Sequence, residues 1–234
     1  AGLQGKFWEM EELVFENPKN LKDEDLKKYA KKIGLDLQQF EKVGLALLTR
    51  PLAKFFHWLN RNTRSGSRRN ISAHYDLGND FYAQWLDPTM SYSAAVFDRA
   101  SAPDETLADA QQRKYARMFE MIDPAHGDTV LEIGCGWGGF AEYAARRGVR
   151  VIGLTLSREQ LRYARARLQR AGLADRVDLR LCDYRDFTGQ VDHIASIEMF
   201  EAVGREYWAG YFDTLSRCLR PGGRAALQVI TIDE

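Results

Sequence analysis

Residues 131–139 read LEIGCGWGG, a glycine-rich stretch directly after the short apolar run Thr129–Ile133. Glycines between a strand and a helix let a ligand approach the backbone closely. The N-terminus of the following helix offers N–H groups to an anion. Two anions suit such a loop: a dinucleotide pyrophosphate, or the carboxylate of an amino-acid cofactor. A glycine motif alone is weak, so its neighbours decide. An ionised Glu132 would repel a pyrophosphate, but it suits the ammonium of S-adenosylmethionine. A dinucleotide site also expects an acid about 20 residues on; residues 153–157 read GLTLS, with no carboxylate. The loop therefore reads as a site for S-adenosylmethionine, with Glu132, Gly134, Cys135, Gly136 and Gly138 as binding residues.

Further residues extend that site. Thr155 and Gln160 can hydrogen-bond ribose hydroxyls; Gln160 also stands three residues after Ser157, where it suits a capping box. Asp183 can accept from an adenine amino group and Tyr184 can stack on the ring. A plain loop cap is the other reading of Asp183. His74 and His193 lack ligand-spaced partners, so no metal site is expected. Cys135, Cys182 and Cys218 form no CxxC pair, which indicates neither zinc nor disulfides and points to a reducing, cytoplasmic compartment.

The positioning elements follow from periodicity. Leu107–Ile122 reads as a helix with Leu107, Tyr115, Met118, Phe119 and Ile122 on its buried side, stopped by Asp123-Pro124. Strands are expected at Thr129–Ile133, 149–154, 177–182, Val191–Ile197 and 225–230. Helices are expected at 140–147, from Ser157, and at 205–219, the last with Trp208, Tyr211, Phe212, Leu215 and Leu219 inward. Pro221-Gly222-Gly223 reads as the turn into the fifth strand. Strands separated by helices imply a parallel sheet covered on both faces, an α/β fold.

The chain of 234 residues is 45% hydrophobic and 28% charged, an ordinary globular composition. Its formal net charge is zero, which gives no whole-molecule field for nucleic acid. Residues 1–42 hold 8 Lys and no Arg, whereas 43–234 hold 2 Lys and 23 Arg. This switch suggests two sequences of different origin joined near 42–44. The expected organisation is a helical segment at 1–42, a basic amphipathic arm and linker at 43–73, and a catalytic domain at 74–234. In the arm, Leu52, Phe55, Phe56 and Leu59 share a helical face among Arg50, Lys54 and Arg61. Such a helix can lie in an anionic membrane interface or simply dock on the domain. The first segment reads as two helices around Asn17-Pro18, ending near Gly34. Residues 4–41 resemble the helical insert of DsbA-like thiol oxidoreductases; the redox cysteine pair is absent, so no activity is carried over.

Six stretches, in order, resemble the cyclopropane-fatty-acyl-phospholipid synthase family, which includes the mycolic acid methyltransferases. They are HYDLGNDFY (74–82), MSYSAAVF (90–97), LEIGCGWGG (131–139), GLTLSREQ (153–160), DYRDF (183–187) and SIEMFEAVG (196–204). The resemblance covers 44–234. It implies a Rossmann-like class I S-adenosylmethionine-dependent methyltransferase of seven strands, here C-terminally truncated. It implies methyl transfer to the cis double bond of an acyl chain in a membrane phospholipid. The protein would then be peripheral to the inner face of the membrane, with a homodimer left open. Matching positions put Tyr92 and Ser93 at the cofactor's carboxylate end beside Gly134 and Gly136. Thr155, Leu156 and Gln160 face the ribose, and Asp183 and Tyr184 the adenine.

Alkene attack on a sulfonium methyl leaves a carbocation, so water must be excluded and positive charge stabilised. Glu198, Glu201, Tyr92 and Phe200 are candidates; a capping carboxylate is the other reading of Glu198. Ring-closing members of the family hold a bicarbonate base with Cys, Glu, His and Tyr. Here the Glu matches Glu201, but the Cys position is Ala94 and the His position is Gln228; the Tyr lies past residue 234. These replacements argue against a held bicarbonate and make methyl or methylene branching at least as good a reading as ring closure. A non-catalytic cofactor-binding module and a small-molecule methyltransferase are the competing functions.

Overall fold

The computed structural model describes residues 6–17, 22–37, 78–98, 100 and 104–231. Residues 43–73, His74 and the N-terminal part of the 74–82 stretch lie outside them, and with them the expected basic arm. The chain divides into two compact units, Ala1–Leu59 and Asn60–Glu234.

In the first unit, α1 (Phe7–Glu16) and α2 (Asp23–Lys32) flank Asn17, as the break there predicts. The Asn17 side chain donates to the Leu13 carbonyl at 2.9 Å. Leu13, Ala30 and Leu35 are buried. Gly34, at φ 72°, takes the left-handed turn past the end of α2.

The second unit is built on five parallel strands in the order β3-β2-β1-β4-β5. A short helix α3 (Asn79–Tyr82) and the long α4 (Leu107–Ile122) precede them. The core alternation is β1 (Thr129–Ile133), α5 (Gly139–Ala145), β2 (Arg150–Thr155), α6 (Arg158–Arg170), β3 (Val177–Leu181), β4 (Val191–Ile197), α7 (Trp208–Cys218) and β5 (Leu219–Gln228). Successive strand residues point to opposite faces. Val130 accordingly joins a core with Tyr115, Met118, Ile122 and Phe140, while Leu131 and Ile133 join Tyr211, Leu215 and Cys218 on the other side. Both faces are covered, which is why β1, β2 and β4 are largely apolar, with Glu132, Asp192 and His193 as the charged or titratable interruptions of β1 and β4. Strand order reverses between β1 and β4, so their C-terminal ends open a crevice where a ligand can sit.

Three expectations need correction. The fifth strand starts at Leu219, not 225, because Pro221-Gly222-Gly223 lies within it as an irregularity facing Val191/His193. A Cβ on Gly223 would come within 2.2 Å of the Asp192 carbonyl, so only glycine lets the two backbones meet. In α7, Tyr211 and Leu215 are buried, but Trp208 and Phe212 are exposed. Leu107, in the first turn of α4, is also exposed, where Thr106 and Asp109 form a capping box. Among the described residues no helix is long and apolar enough to cross a membrane.

Candidate active site

A cavity of about 510 Å³ occupies the crevice. Its wall gathers residues from five separate stretches: Tyr92 and Ser93; Glu132 with Gly134, Cys135 and Gly136; Thr155, Leu156 and Gln160; Asp183 and Tyr184; and Glu198. Three expected site residues, Gly138, Glu201 and Phe200, stand outside it. Gly138 is the left-handed N-cap of α5, and a Cβ there would meet the Ala164 Cβ at 3.0 Å. Its role is close packing of α5 against α6. Glu201 is exposed, and its Oε1 accepts from the Ile230 N–H at 2.5 Å.

The loop glycines are shaped by backbone geometry. Gly134 and Gly136 have φ of 84° and 51°, where L side chains are strained. A Cβ on Gly134 would strike Met199 Cγ at 2.8 Å, whereas one on Gly136 would meet no protein atom within 4 Å. The amides of Gly134 and Cys135 both donate to the Leu154 carbonyl, at 3.0 and 2.9 Å. These two are therefore spent on joining the loop to β2. The Cys135 thiol is buried under Gly153, and burial pushes its pKa up, so it is inert.

Glu132 is buried, and its Oε2 has no hydrogen-bond partner among the described residues. Burial pushes its pKa up to about 8, while Arg167, Lys114 and the Ala141 N–H pull the other way. Without a ligand, the group therefore holds its proton below about pH 8. An orphaned acceptor on a cavity wall calls for a donor, and an ammonium is the donor that would also restore its charge.

The cavity wall near Ser93 is held from behind by α4. Gln111 Nε2 donates to the Ser93 carbonyl at 2.8 Å, and Lys114 Nζ donates to Ser93 Oγ at 2.5 Å. Lys114 also donates to Gln111 Oε1. Lys114 is 1% exposed, and burial lowers its pKa to about 8 against the pull of Glu198, Asp87 and Glu132. Tyr92 packs against Tyr82 and Trp85, with ring centroids 5.7 and 5.3 Å apart. On the ribose side, the Thr155 hydroxyl donates to Gln160 Oε1 at 3.1 Å and accepts the Ser157 N–H at 3.1 Å. Ser157 caps the Gln160 amide, but the Gln160 side chain turns to Thr155, so the capping box is only half formed.

At the far end, Asp183 Oδ1 accepts from the Arg185 N–H and Nε at 3.0 and 2.8 Å, and Oδ2 from the guanidinium at 2.6 Å. The cap reading of Asp183 therefore holds, and the ion pair leaves only its outer lone pairs for a ligand. The Tyr184 ring is set edge-on to Tyr211 at 5.2 Å.

Glu198 sits just past β4 at φ 46°, a costly conformation for a non-glycine residue. Its Oε1 accepts from the Ala94 N–H at 2.8 Å and from Gln228 Nε2 at 2.7 Å. Gln228 Nε2 also reaches the Ala94 carbonyl at 3.1 Å. Ala94 and Gln228, 134 positions apart, thus converge in space on a carboxylate. Phe200 instead packs with Tyr211 and Trp208, at 5.1 and 5.2 Å, away from the cavity wall. His193 is structural: its Nε2 faces Asp128 at 3.2 Å and its Nδ1 accepts the Arg224 N–H at 3.3 Å. Among the described residues no cluster suits a metal ion.

Gln111, Lys114 and Arg185 escaped the sequence reading. Gln111, Lys114, Met118 and Ile122 do share one helical face by spacing, which places two polar residues in line with the core. Charged residues are seldom fully buried, so that line reads as solvated.

Five parallel strands in this order, with a glycine loop after β1, define the Rossmann-like class I S-adenosylmethionine-dependent methyltransferase fold. The chain belongs to the mycolic acid cyclopropane synthetase family, whose profile matches residues 62–234. It is 47% identical over 175 residues to tuberculostearic acid methyltransferase UfaA1 of Mycobacterium tuberculosis, covering 73% of this chain and 41% of that one. It is 43% identical over 158 residues to the cyclopropane-fatty-acyl-phospholipid synthase of Escherichia coli, covering 67% and 39%. The cyclopropane synthase MmaA2 from Mycobacterium tuberculosis superposes with a TM-score of 0.67 at 35% identity, over 70% of this chain and 57% of that one. The mycolic acid cyclopropane synthase CmaA1, in a complex with SAH and CTAB, gives 0.62 at 34%, over 65% and 53%. The chain spans about two fifths of the length of the two sequence relatives.

Proposed function

We propose that the protein transfers a methyl group from S-adenosylmethionine to the cis double bond of an unsaturated acyl chain in a membrane phospholipid, and that the product is branched rather than cyclopropanated. The observation that carries this reading is Glu198, held by Ala94 and Gln228 on the cavity wall. S-adenosylmethionine supplies an electrophilic methyl on a sulfonium.

The residues divide the remaining work. Glu132 receives the cofactor's ammonium at its orphaned oxygen, while Tyr92 and Ser93 meet the carboxylate end. Thr155, Leu156 and Gln160 line the ribose, and Asp183 and Tyr184 the adenine. The alkene π pair forms the new C–C bond as the C–S bond breaks, which leaves a cation on the neighbouring carbon. The carboxylate of Glu198 and the face of Tyr92 stabilise it. A hydride shift moves the cation to the methylated carbon, and Glu198 then takes a proton from the added methyl, giving a methylidene branch. Ala94 and Gln228 cannot hold a bicarbonate as Cys and His do, so the side-chain carboxylate is the base. Glu201 serves by fixing the chain at Ile230.

We place the protein in the cytoplasm, against the inner leaflet, with residues 43–73 as the basic contact. Its zero net charge favours no nucleic-acid partner, and a homodimer is compatible with the reading. Residues 1–42 we take to be of separate origin. The switch from Lys to Arg and a family match that begins at 62 support this, and sequencing the source gene tests it.

The test of function is product analysis. Protein, S-adenosylmethionine and dioleoyl phospholipid vesicles are incubated, and the acyl chains are analysed by mass spectrometry. A methylidene branch is expected; a dominant cyclopropane would overturn the assignment.

A further inference from the structure

We infer that Lys114, with Gln111, is a positioning residue that aims the Ser93 hydroxyl into the cavity as the donor for the cofactor's carboxylate. The inference rests on the reading of the cavity as an S-adenosylmethionine site and names the device at one end of it.

Hydrogen-bond direction carries the argument. An ammonium has three donors and no acceptor. Because Lys114 Nζ donates to Ser93 Oγ, that oxygen is occupied as an acceptor and its own proton is free to point elsewhere. Ser93 lines the cavity, and the wall behind it is α4. Gln111 fixes the same residue by its main chain, and its amide orientation is set in turn by Lys114, which donates to Oε1 while Nε2 serves the Ser93 carbonyl. Both atoms that define where the hydroxyl sits are thus held from one helix. The Gly134 and Cys135 amides are committed to Leu154, so neither of those two serves an anion here.

Two further observations agree. Residues 43–234 use arginine 23 times and lysine twice, yet this buried site keeps a lysine. A guanidinium is planar and larger, and it cannot sit as a compact point charge between Ser93 Oγ and Gln111 Oε1. The burial also costs stability, as the downward shift of Lys114 shows. Packing alone would be served better by methionine.

Calorimetric titration tests this with two ligands, S-adenosylmethionine and its decarboxylated analogue. Lys114→Met should weaken S-adenosylmethionine about tenfold and leave the analogue within about twofold. Ser93→Ala should do the same, and the double variant should lose no more than either single one. Lys114→Gln, which keeps a donor without the charge, should fall between. Equal losses for both ligands, or an unchanged affinity in Ser93→Ala, would overturn the inference. So would a Lys114→Met protein that fails to fold while Lys114→Gln loses both ligands alike. Wild-type protein that binds neither ligand would instead defeat the cofactor reading itself.

Discussion

Gln228 Nε2 donates to Glu198 Oε1 at 2.7 Å, tying the edge strand β5 to the end of β4. The contact holds a carboxylate at φ 46° on the cavity wall.

Replacing Glu198 with Gln removes the proposed base and keeps the volume. Cofactor affinity should stay within about twofold, and radiolabelled methyl incorporation into lipid should fall by about 100-fold or more, the scale of a lost general base. Incorporation that persists within about threefold would show that another group takes the proton.

Bicarbonate gives a second check on the same carboxylate. Rates of methyl incorporation in carbonate-stripped buffer and after added bicarbonate should agree. A severalfold stimulation would mean that the small anion, not Glu198, is the base.

Two glycines of one loop should respond differently. Gly134→Ala puts a Cβ 2.8 Å from Met199 Cγ at φ 84°, and should cost about 2–4 kcal/mol of stability in denaturant titration. Gly136→Ala meets no protein atom and should cost about 1 kcal/mol, yet weaken the cofactor by about tenfold or more, since the new methyl enters the binding space. The opposite ranking in stability would contradict the loop geometry.

Glu132 makes stability depend on pH. Its pKa rises from 4.5 to about 8 on folding, so between those values the folded chain binds a proton that the unfolded chain has lost. Stability without ligand therefore falls as pH rises through that window. Lys114 acts in the opposite sense, but only above about 8, where the folded chain gives up a proton that the unfolded chain keeps to 10.5. Glu132→Gln should flatten the fall between pH 5 and 7.5 and stabilise the protein at pH 7.5 by on the order of 3 kcal/mol. It should also weaken the cofactor. Thermal melts across pH check the first effect and calorimetry the second.

Much of this arrangement is written in local sequence. Thr129–Ile133, Val191–Ile197 and Leu107–Ile122 begin and end where apolar runs, caps and the Asp123-Pro124 stop say they should. Glu132, the loop glycines, Thr155, Gln160 and Asp183 are legible because glycine, hydroxyl, amide and carboxylate types fall just at or after strand ends, whereas Tyr92, Ser93 and Leu156 come only from the family resemblance. What escapes is set by contacts distant in sequence. Gly223 looks like a turn residue until Asp192 is seen against it. Trp208 and Phe212 follow the helical period but not the burial, because spacing marks a face without saying what covers it. Glu201 and Gly138 match a motif, yet the first is drawn to Ile230 and the second to Ala164. The buried pairing of Lys114 with Ser93 spans 21 positions, and no local pattern announces it.

The central claim is that this crevice receives a zwitterionic sulfonium cofactor rather than a dinucleotide. Calorimetric titration of the protein with S-adenosylmethionine and, separately, with NAD decides it. The account predicts one molar equivalent of S-adenosylmethionine bound at micromolar concentration and no heat from NAD. Saturable binding of NAD with none of S-adenosylmethionine would contradict it.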